Sequence, residues 1–187
     1  MSNELQYSKH LLKALDFAAE KHRDQRRKGV EASPYINHPI QVAEVLATYG
    51  EVDDLTTLMA AILHDTIEDT DTTESDLEEL FGRTVAEVVS EVTDDKSLPK
   101  QERKRLQVEH TPHLSDRAKQ IKIADKTCNI RDIGSRPPAD WDEGRQNEYF
   151  DWAESVVAGC RGVNRKLEEY FDTCVASSRA LMLQSKA

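Results

Sequence analysis

Apolar residues recur every three to four positions along most of this 187-residue chain, the spacing of helices that bury one face. The first stretch runs from Leu5 to about His22, with Leu11, Leu12, Leu15, Ala18 and Ala19 on one stripe. Gly29, Ser33 and Pro34 mark a loop. His38-Pro39 starts a second helix, because proline tolerates the first helical position and holds its predecessor extended. That helix continues through Ile40, Ala43, Val45 and Leu46 to Gly50. A third is expected from about Asp54, with Leu55, Leu58, Met59 and Ile62 inward, reaching Glu68-Asp69. Past a polar break at Thr70 to Thr73, Ser75 with Glu78 reads as a capping box for a short helix ending at Gly82. Thr84 then caps a helix whose Val85, Val88, Val89 and Val92 keep the i, i+3, i+4, i+7 spacing, so their branching does not make it a strand.

Asp94 to Pro99 is a loop, followed by a charged helix up to His110 that Pro112 breaks. Ser115 or Asp116 starts the next helix, with Ala118, Ile121, Ala124 and Cys128 inward, and Pro137-Pro138 closes it. Two more helices run from Trp141 to about Gly159 and from about Asn164 to Leu183. Nothing repeats, and no linker is long enough to separate domains. The expectation is an all-α fold, one helical bundle over residues 1–187 with its core in about 7–171.

Composition narrows the ligand. The formal charge is -10 and the pI about 5.1, which repels nucleic acid and anionic membranes. An anionic ligand would need local cations, and one basic run stands against the trend: Lys21, His22, Arg23, Arg26, Arg27, Lys28. Charge alone leaves that run as a solvated helix end, where Lys and Arg suit the dipole. Three cysteines (Cys128, Cys160, Cys174) form no CxxC pair and read as reduced, semi-buried thiols. No signal pattern and no apolar run of transmembrane length is present, so the expected compartment is the cytoplasm.

Candidate chemistry centres on His64-Asp65-Thr66-Ile67-Glu68-Asp69. On one continuous helix, His64 with Glu68 and Asp65 with Asp69 would form adjacent ridges at the end of an apolar stripe. Burying an imidazole and three carboxylates there is costly unless they are paired or bind a cation. A calcium loop counted from Asp69 fails, because its sixth and twelfth positions hold Glu74 and Leu80 instead of Gly and Glu. His38, extended before Pro39, and Asp125, a lone carboxylate in the apolar Ile121–Ala124 context, enlarge the set. Two His and two Asp suit a borderline divalent transition metal better than calcium. Residue types alone leave the reaction open.

Several segments together resemble the HD-domain superfamily, and within it the hydrolase domain of the RelA/SpoT alarmone enzymes. They are Gln25-Arg26-Arg27-Lys28, Pro34-Tyr35-Ile36-Asn37-His38-Pro39, Leu63-His64-Asp65-Thr66-Ile67-Glu68-Asp69-Thr70, Phe81-Gly82, Val92-Thr93-Asp94 and Lys122-Ile123-Ala124-Asp125-Lys126 with Asn129. Order and spacing match across roughly Tyr7 to Phe171. His113-Leu114-Ser115, Trp141, Arg145, Glu148-Tyr149-Phe150, Trp152-Ala153 and Gly159-Cys160-Arg161-Gly162 point to the small, hydrolase-only, metazoan-type branch. The chain ends about where bifunctional relatives begin their synthetase domain, so synthesis is not expected.

The resemblance implies hydrolysis of the 3′-pyrophosphate of guanosine tetra- and pentaphosphate, giving GDP or GTP and pyrophosphate, with one Mn²⁺ ion. It makes His38, His64, Asp65 and Asp125 the metal ligands and puts Glu68 and Asp69 beside the attacking water. It puts Arg27 and Lys28 at the phosphates, and Asn129, Arg145 and Tyr149 in contact with nucleotide or pyrophosphate. Asn129 lies one turn beyond Asp125, and Tyr149 one turn beyond Arg145, so each pair faces one way. Cys128, the aromatics Trp141, Trp152, Phe150 and Phe171, and His10, His22, His110 and His113 read as packing or surface. Two other readings keep the site: a 2′-phosphatase of NADPH or a similar nucleotide, and a sensor that binds nucleotide without turnover. The expected partner is a small nucleotide, with no nucleic acid and no membrane; residue patterns leave the oligomeric state open.

Overall fold

Helix α3 (Leu55–Leu63) is the most apolar element, and every residue from Thr57 to Leu63 is buried. In the computed structural model, which describes residues 3–29 and 31–184, it is wrapped by α1 (Asn3–Lys21), α2 (Asn37–Thr48) and α6 (Arg83–Val92). A second axis is α8 (Asp116–Ser135), which packs on α2, α6, α9 (Glu143–Ala158) and most extensively on α10 (Arg165–Gln184). Two short helices, α4 (Thr66–Asp69) and α5 (Glu74–Phe81), join α3 to α6, while α7 (Lys100–His110) and a 3₁₀ turn (Thr111–His113) join α6 to α8. The architecture among the described residues is all-helical, as the periodicity predicts. Residues 1–2, 30 and 185–187 of the expected domain lie outside the described set.

The apolar stripes merge into one core that contains Leu46, Leu63, Leu77, Ile121, Phe150, Leu167 and Phe171, all fully buried. Cys128, Cys160 and Cys174 are buried too. Burying those large side chains contributes roughly 1.5–3 kcal/mol each. Leu12 departs from its expected stripe: α1 buries Ala14 and Ala18, and Leu12 is 64% exposed. Ile40 likewise faces outward on α2.

Three local expectations are corrected. The capping box of α5 is Thr73 with Asp76, not Ser75 with Glu78: Thr73 accepts from the Asp76 amide, and Asp76 accepts from the Thr73 amide at 2.8 Å. Aspartate at the third helical position reaches back as glutamate would, so the box closes one residue after Thr72. Thr84 caps nothing, because α6 already begins at Arg83 and Gly82 joins the two helices with φ +89°, a left-handed conformation open to glycine.

The third correction matters most. The helix expected from Asp54 to Asp69 breaks at His64-Asp65, where Asp65 has φ −97° and ψ −2°. This is the sparsely populated bridge region where active-site residues often sit. Side chains take the carbonyls near the break: His64 Nδ1 donates to Ala61 O at 2.8 Å and Thr66 Oγ1 to Leu63 O at 2.7 Å. The ridge expected from His64 to Glu68 is therefore broken, while Asp69 N still donates to Asp65 O at 2.8 Å. His64 and Asp65 turn toward α2 and α8, while Glu68 and Asp69 turn toward the loop before α7.

Candidate active site

Four elements bring the metal-competent residues together. His38 enters from the start of α2, His64 and Asp65 from the α3–α4 break, and Asp125 from the middle of α8. His38, His64 and Asp65 offer ligand atoms all within 4.8 Å of one another. His64 Nε2 stands 3.1 Å from Asp65 Oδ2, and His38 Nε2 stands 3.1 Å from Asp125 Oδ1 and 3.9 Å from Asp65 Oδ2. Asp125 is adjacent but already engaged: Oδ1 accepts from Asn129 Nδ2 at 2.6 Å and Oδ2 from Lys126 Nζ at 2.9 Å.

His64 makes the strongest case for a cation. A carbonyl can only accept, so the bond to Ala61 fixes the hydrogen on Nδ1 and leaves Nε2 with a lone pair when the ring is neutral. That buried Nε2 has no hydrogen-bond partner and faces a carboxylate oxygen. Two acceptors facing each other in a dry site need a positive charge between them. Without a metal it must be a proton: burial opposes it, but Asp65 outweighs burial and pulls the His64 pKa up to about 9. His38, whose dominant influence is burial, shifts down despite Asp125. Asp65 and Asp125 are held well below the ordinary carboxylate range against their own burial, by His64 and by Lys126 respectively. A divalent cation would replace that proton, held by neutral nitrogen and ionised oxygen, the protonation states such ligands require.

A ring of supporting groups orients the ligands. Tyr35 donates to Asp65 Oδ2 at 2.7 Å and packs between His22, ring centroids 5.0 Å apart, and the Arg27 guanidinium, 5.8 Å from its ring. Arg27 itself donates to Asn129 Oδ1 at 2.7 Å and to Asp132 Oδ2 at 2.9 Å, so a chain of bonds runs Asp132–Arg27–Asn129–Asp125–His38. Antiparallel pairing between Arg26 and Pro34, with Arg27 N donating to Ser33 O, holds the 22–36 loop that presents Arg27 and Tyr35. The basic run is therefore more than a solvated end: α1 stops at Lys21, and Arg27 turns inward.

These groups line a pocket of about 170 Å³ that opens into a cleft of about 1260 Å³. Arg27, Tyr35, Glu68, Asp94, Gln107 and Asn129 line both. Nine Lys and Arg line the large cleft against eight Asp and Glu, a local reversal in a chain of net charge -10. Lys28 and Arg145 lie on its exposed rim, Arg145 pairing with Asp140 and stacking 4.6 Å over Trp141. Tyr149 lines the wall, its phenol pushed up to about 12 by burial. Asn129 shares the Asp125 side as expected, whereas Tyr149 sits deeper than Arg145. Glu68 accepts from the Asp94 amide at 3.1 Å, and burial raises its pKa. Asp69 pairs with Lys96.

Periodicity and residue type alone did not single out Tyr35, Lys126, Asp132, Arg103 or Gln107. Asp132 carried a usable signal, lying seven residues after Asp125 on one face of α8. Trp141 and Trp152, expected to be packing, line the cleft, and the Lys104 and Lys126 ammonium groups lie 4.7 and 4.5 Å from the Trp152 ring.

A helical bundle that gathers histidines and aspartates from separate helices around one cation site defines a metal-dependent hydrolase of the HD type, and the chain belongs to the HD-domain family, whose profile matches residues 14–149. Its relatives are more particular. It is 57% identical over 159 residues to the guanosine-3′,5′-bis(diphosphate) 3′-pyrophosphohydrolase MESH1 of Danio rerio, covering 85% of this chain and 88% of the relative. Identity to the human MESH1 is also 57%, covering 85% and 89%. A solved structure of a metazoan SpoT ortholog, described as hydrolysing ppGpp, superimposes with TM-score 0.87 at 48% identity, covering 92% of this chain and 96% of the other.

Among the described residues no helix is long and apolar enough to cross a membrane.

Proposed function

We infer that this chain is a guanosine-3′,5′-bis(diphosphate) 3′-pyrophosphohydrolase that holds a divalent cation, Mn²⁺, on His38, His64, Asp65 and Asp125. The observation that carries the reading is the opening of the metal-competent pocket into the cation-rich cleft of a strongly acidic chain, through walls that contain Glu68 and Arg27. The relatives' names favour this substrate over a 2′-phosphorylated dinucleotide or a silent sensor.

The residues divide the work. The bound cation supplies charge that makes water more acidic and neutralises phosphoryl oxygens. Tyr35 and Asn129 hold the Asp65 and Asp125 carboxylates in place. Glu68, more basic than an ordinary carboxylate because it is buried, takes a proton from the attacking water. Asp69 fixes the neighbouring loop through Lys96 while facing the same cleft. Arg27 grips phosphate oxygens once it exchanges Asp132 for them, and its forked donors suit that exchange better than an ammonium would. Lys28 and Arg145 attract the polyphosphate at the rim, and Asn129 and Tyr149 contact the nucleotide. The expected products are pyrophosphate and a nucleotide with a free 3′-hydroxyl. Purified protein loaded with Mn²⁺ should release pyrophosphate from guanosine tetraphosphate, and Asp65→Ala should abolish release. No turnover by the Mn²⁺-loaded wild type would refute the assignment.

A further inference from the structure

Helix α7 has an unusual inner face. None of its residues is fully buried, yet Lys100, Arg103, Lys104 and Gln107 all line the cleft, at the i, i+3, i+4, i+7 spacing of a single face. A helix that turns its polar stripe inward is not there to complete a core. It is tied down at the active site: Trp152 Nε1 donates to Lys104 O at 3.0 Å, and Gln107 donates to Asp94.

Two atoms on this face lack partners. Arg103 Nε and Gln107 Oε1 are both buried without a hydrogen bond. Arg103 reaches Glu68 only as a loose ion pair, with Nη1 3.7 Å from Oε1. Guanidinium is a five-donor group, and a buried donor left unmade is costly. The neighbouring cations are committed more tightly, Arg27 to Asn129 and Asp132 and Lys96 to Asp69. Arg103 is thus a cation beside Glu68 with donor capacity to spare, and it lines the cleft where an oxygen-rich anion would lie.

We propose, resting on the function inferred above, that Arg103 is a further catalytic residue, donating to the oxygens of the pyrophosphoryl group while it transfers to water. In that step the water oxygen bonds to the phosphorus attached to O3′ and the O3′–P bond breaks. One water proton passes to Glu68, which hands it to the departing O3′, and pyrophosphate and a 3′-hydroxyl result with Glu68 ionised again. Moving from Glu68 to the phosphoryl oxygens, Arg103 also leaves that carboxylate free to accept the proton.

The test is steady-state hydrolysis of guanosine tetraphosphate by the Mn²⁺-loaded full chain, with Arg103→Ala and Arg103→Lys. Removing one donor aimed at developing charge typically costs about 10²–10³ in kcat, and that loss is expected for Arg103→Ala with little change in KM. Arg103→Lys should recover little, because an ammonium cannot present the fork. Added guanidinium should restore part of the activity of Arg103→Ala, while Mn²⁺ affinity stays at the wild-type value. Activity of Arg103→Ala within threefold of wild type overturns the proposal. So does a loss that Arg103→Lys fully repairs and guanidinium does not, since that marks a structural ion pair with Glu68. Should Arg103→Ala not fold, Arg103→Lys decides alone: a kcat loss of tenfold or more supports the role, and near-normal kcat overturns it. If the wild type itself turns nothing over, the function above has failed, and Arg103 is judged by binding of pyrophosphate alone. Weakening by at least tenfold in the variant then sustains its anion contact, and unchanged binding removes it.

Discussion

Replacing Tyr35 by phenylalanine removes one oxygen from the site and nothing else. The phenol lies 2.7 Å from Asp65 Oδ2, in the range of a charge-assisted bond. Its ring stays wedged between His22 and Arg27, so the variant should keep its shape. Hydrogen bonds to charged groups contribute about 1.5–3 kcal/mol, and with tenfold in affinity per about 1.4 kcal/mol the lost bond corresponds to roughly 10–150-fold. Supporting groups around metal ligands show the same scale, about 10–100-fold in metal affinity. The effect has a definite sign. Asp65 Oδ2 also faces His64 Nε2 at 3.1 Å, so without the phenol the carboxylate can swing toward the imidazole and away from a shared cation. Mn²⁺ Kd, read from the electron paramagnetic resonance signal of the free ion during titration, should rise at least tenfold in Tyr35→Phe. Circular dichroism should be unchanged. A Kd within twofold of wild type would refute the claim that Tyr35 positions Asp65.

Two further predictions concern stability. Asp54 caps α3, accepting from the Thr57 amide at 3.0 Å and from Arg117 Nε at 2.8 Å. The Arg117 bond is the leading cause that draws its pKa down to about 2. A folded-state pKa below the unfolded value gives stability that is full above about pH 4 and disappears as pH falls toward 2. Both side chains are about two-fifths exposed, so screening keeps the ion pair's share small. Asp54→Asn should retain the cap and lose little, whereas Asp54→Ala should cost about 1 kcal/mol, a fall of roughly 2–4 °C in Tm at neutral pH; equal melts for the two would contradict this. Gly134 on α8 packs against α10: a Cβ there would lie 2.5 Å from Ser178 Cβ and 3.0 Å from its Cα. Gly→Ala in a helix normally gains about 1 kcal/mol, but overpacking costs about 1–3 kcal/mol, and a backbone-proximal clash lets the second effect win. Gly134→Ala should lower Tm, and adding Ser178→Gly should recover it.

Much of the fold was legible because helical periodicity is a local property. The stripes of α6 and α8 mark their buried faces directly, and Val85, Val88, Val89 and Val92 are all buried. What failed was decided by one-residue choices in backbone geometry. Thr73 and Ser75 are both plausible caps, and which closes the box depends on where α5 enters from the preceding turn. The break at His64-Asp65 was hidden for a stronger reason. Residues 55–69 carry no glycine or proline, and the helix is interrupted by side chains, His64 and Thr66, that take carbonyls from the ladder. Such competition is written in residue types that also occur within ordinary helices.

At the site, the legible part is the part that carries unusual chemistry in an apolar setting. His38 and Asp125 stand out because nothing in a core explains them. The supporting groups do not stand out, since Tyr35, Asp132, Arg103 and Gln107 are ordinary surface types until the fold turns them inward. Their placement changes what the conspicuous residues can do. Arg27 reads from sequence as a phosphate ligand, but in the structure it is bonded to Asn129 and Asp132, and Asn129 is bonded to Asp125. With Arg27 as the proposed phosphate ligand, phosphate binding and the metal-competent carboxylate would be linked through one amide. A nucleotide that draws Arg27 away from Asn129 removes a donor from the amide oxygen, frees that side chain to reorient, and so reaches the Asp125 carboxylate. That linkage requires substrate and cation affinities to depend on each other reciprocally, and it follows from two hydrogen bonds, one joining Arg27 to Asn129 across 102 residues of sequence and one joining Asn129 to Asp125 within α8.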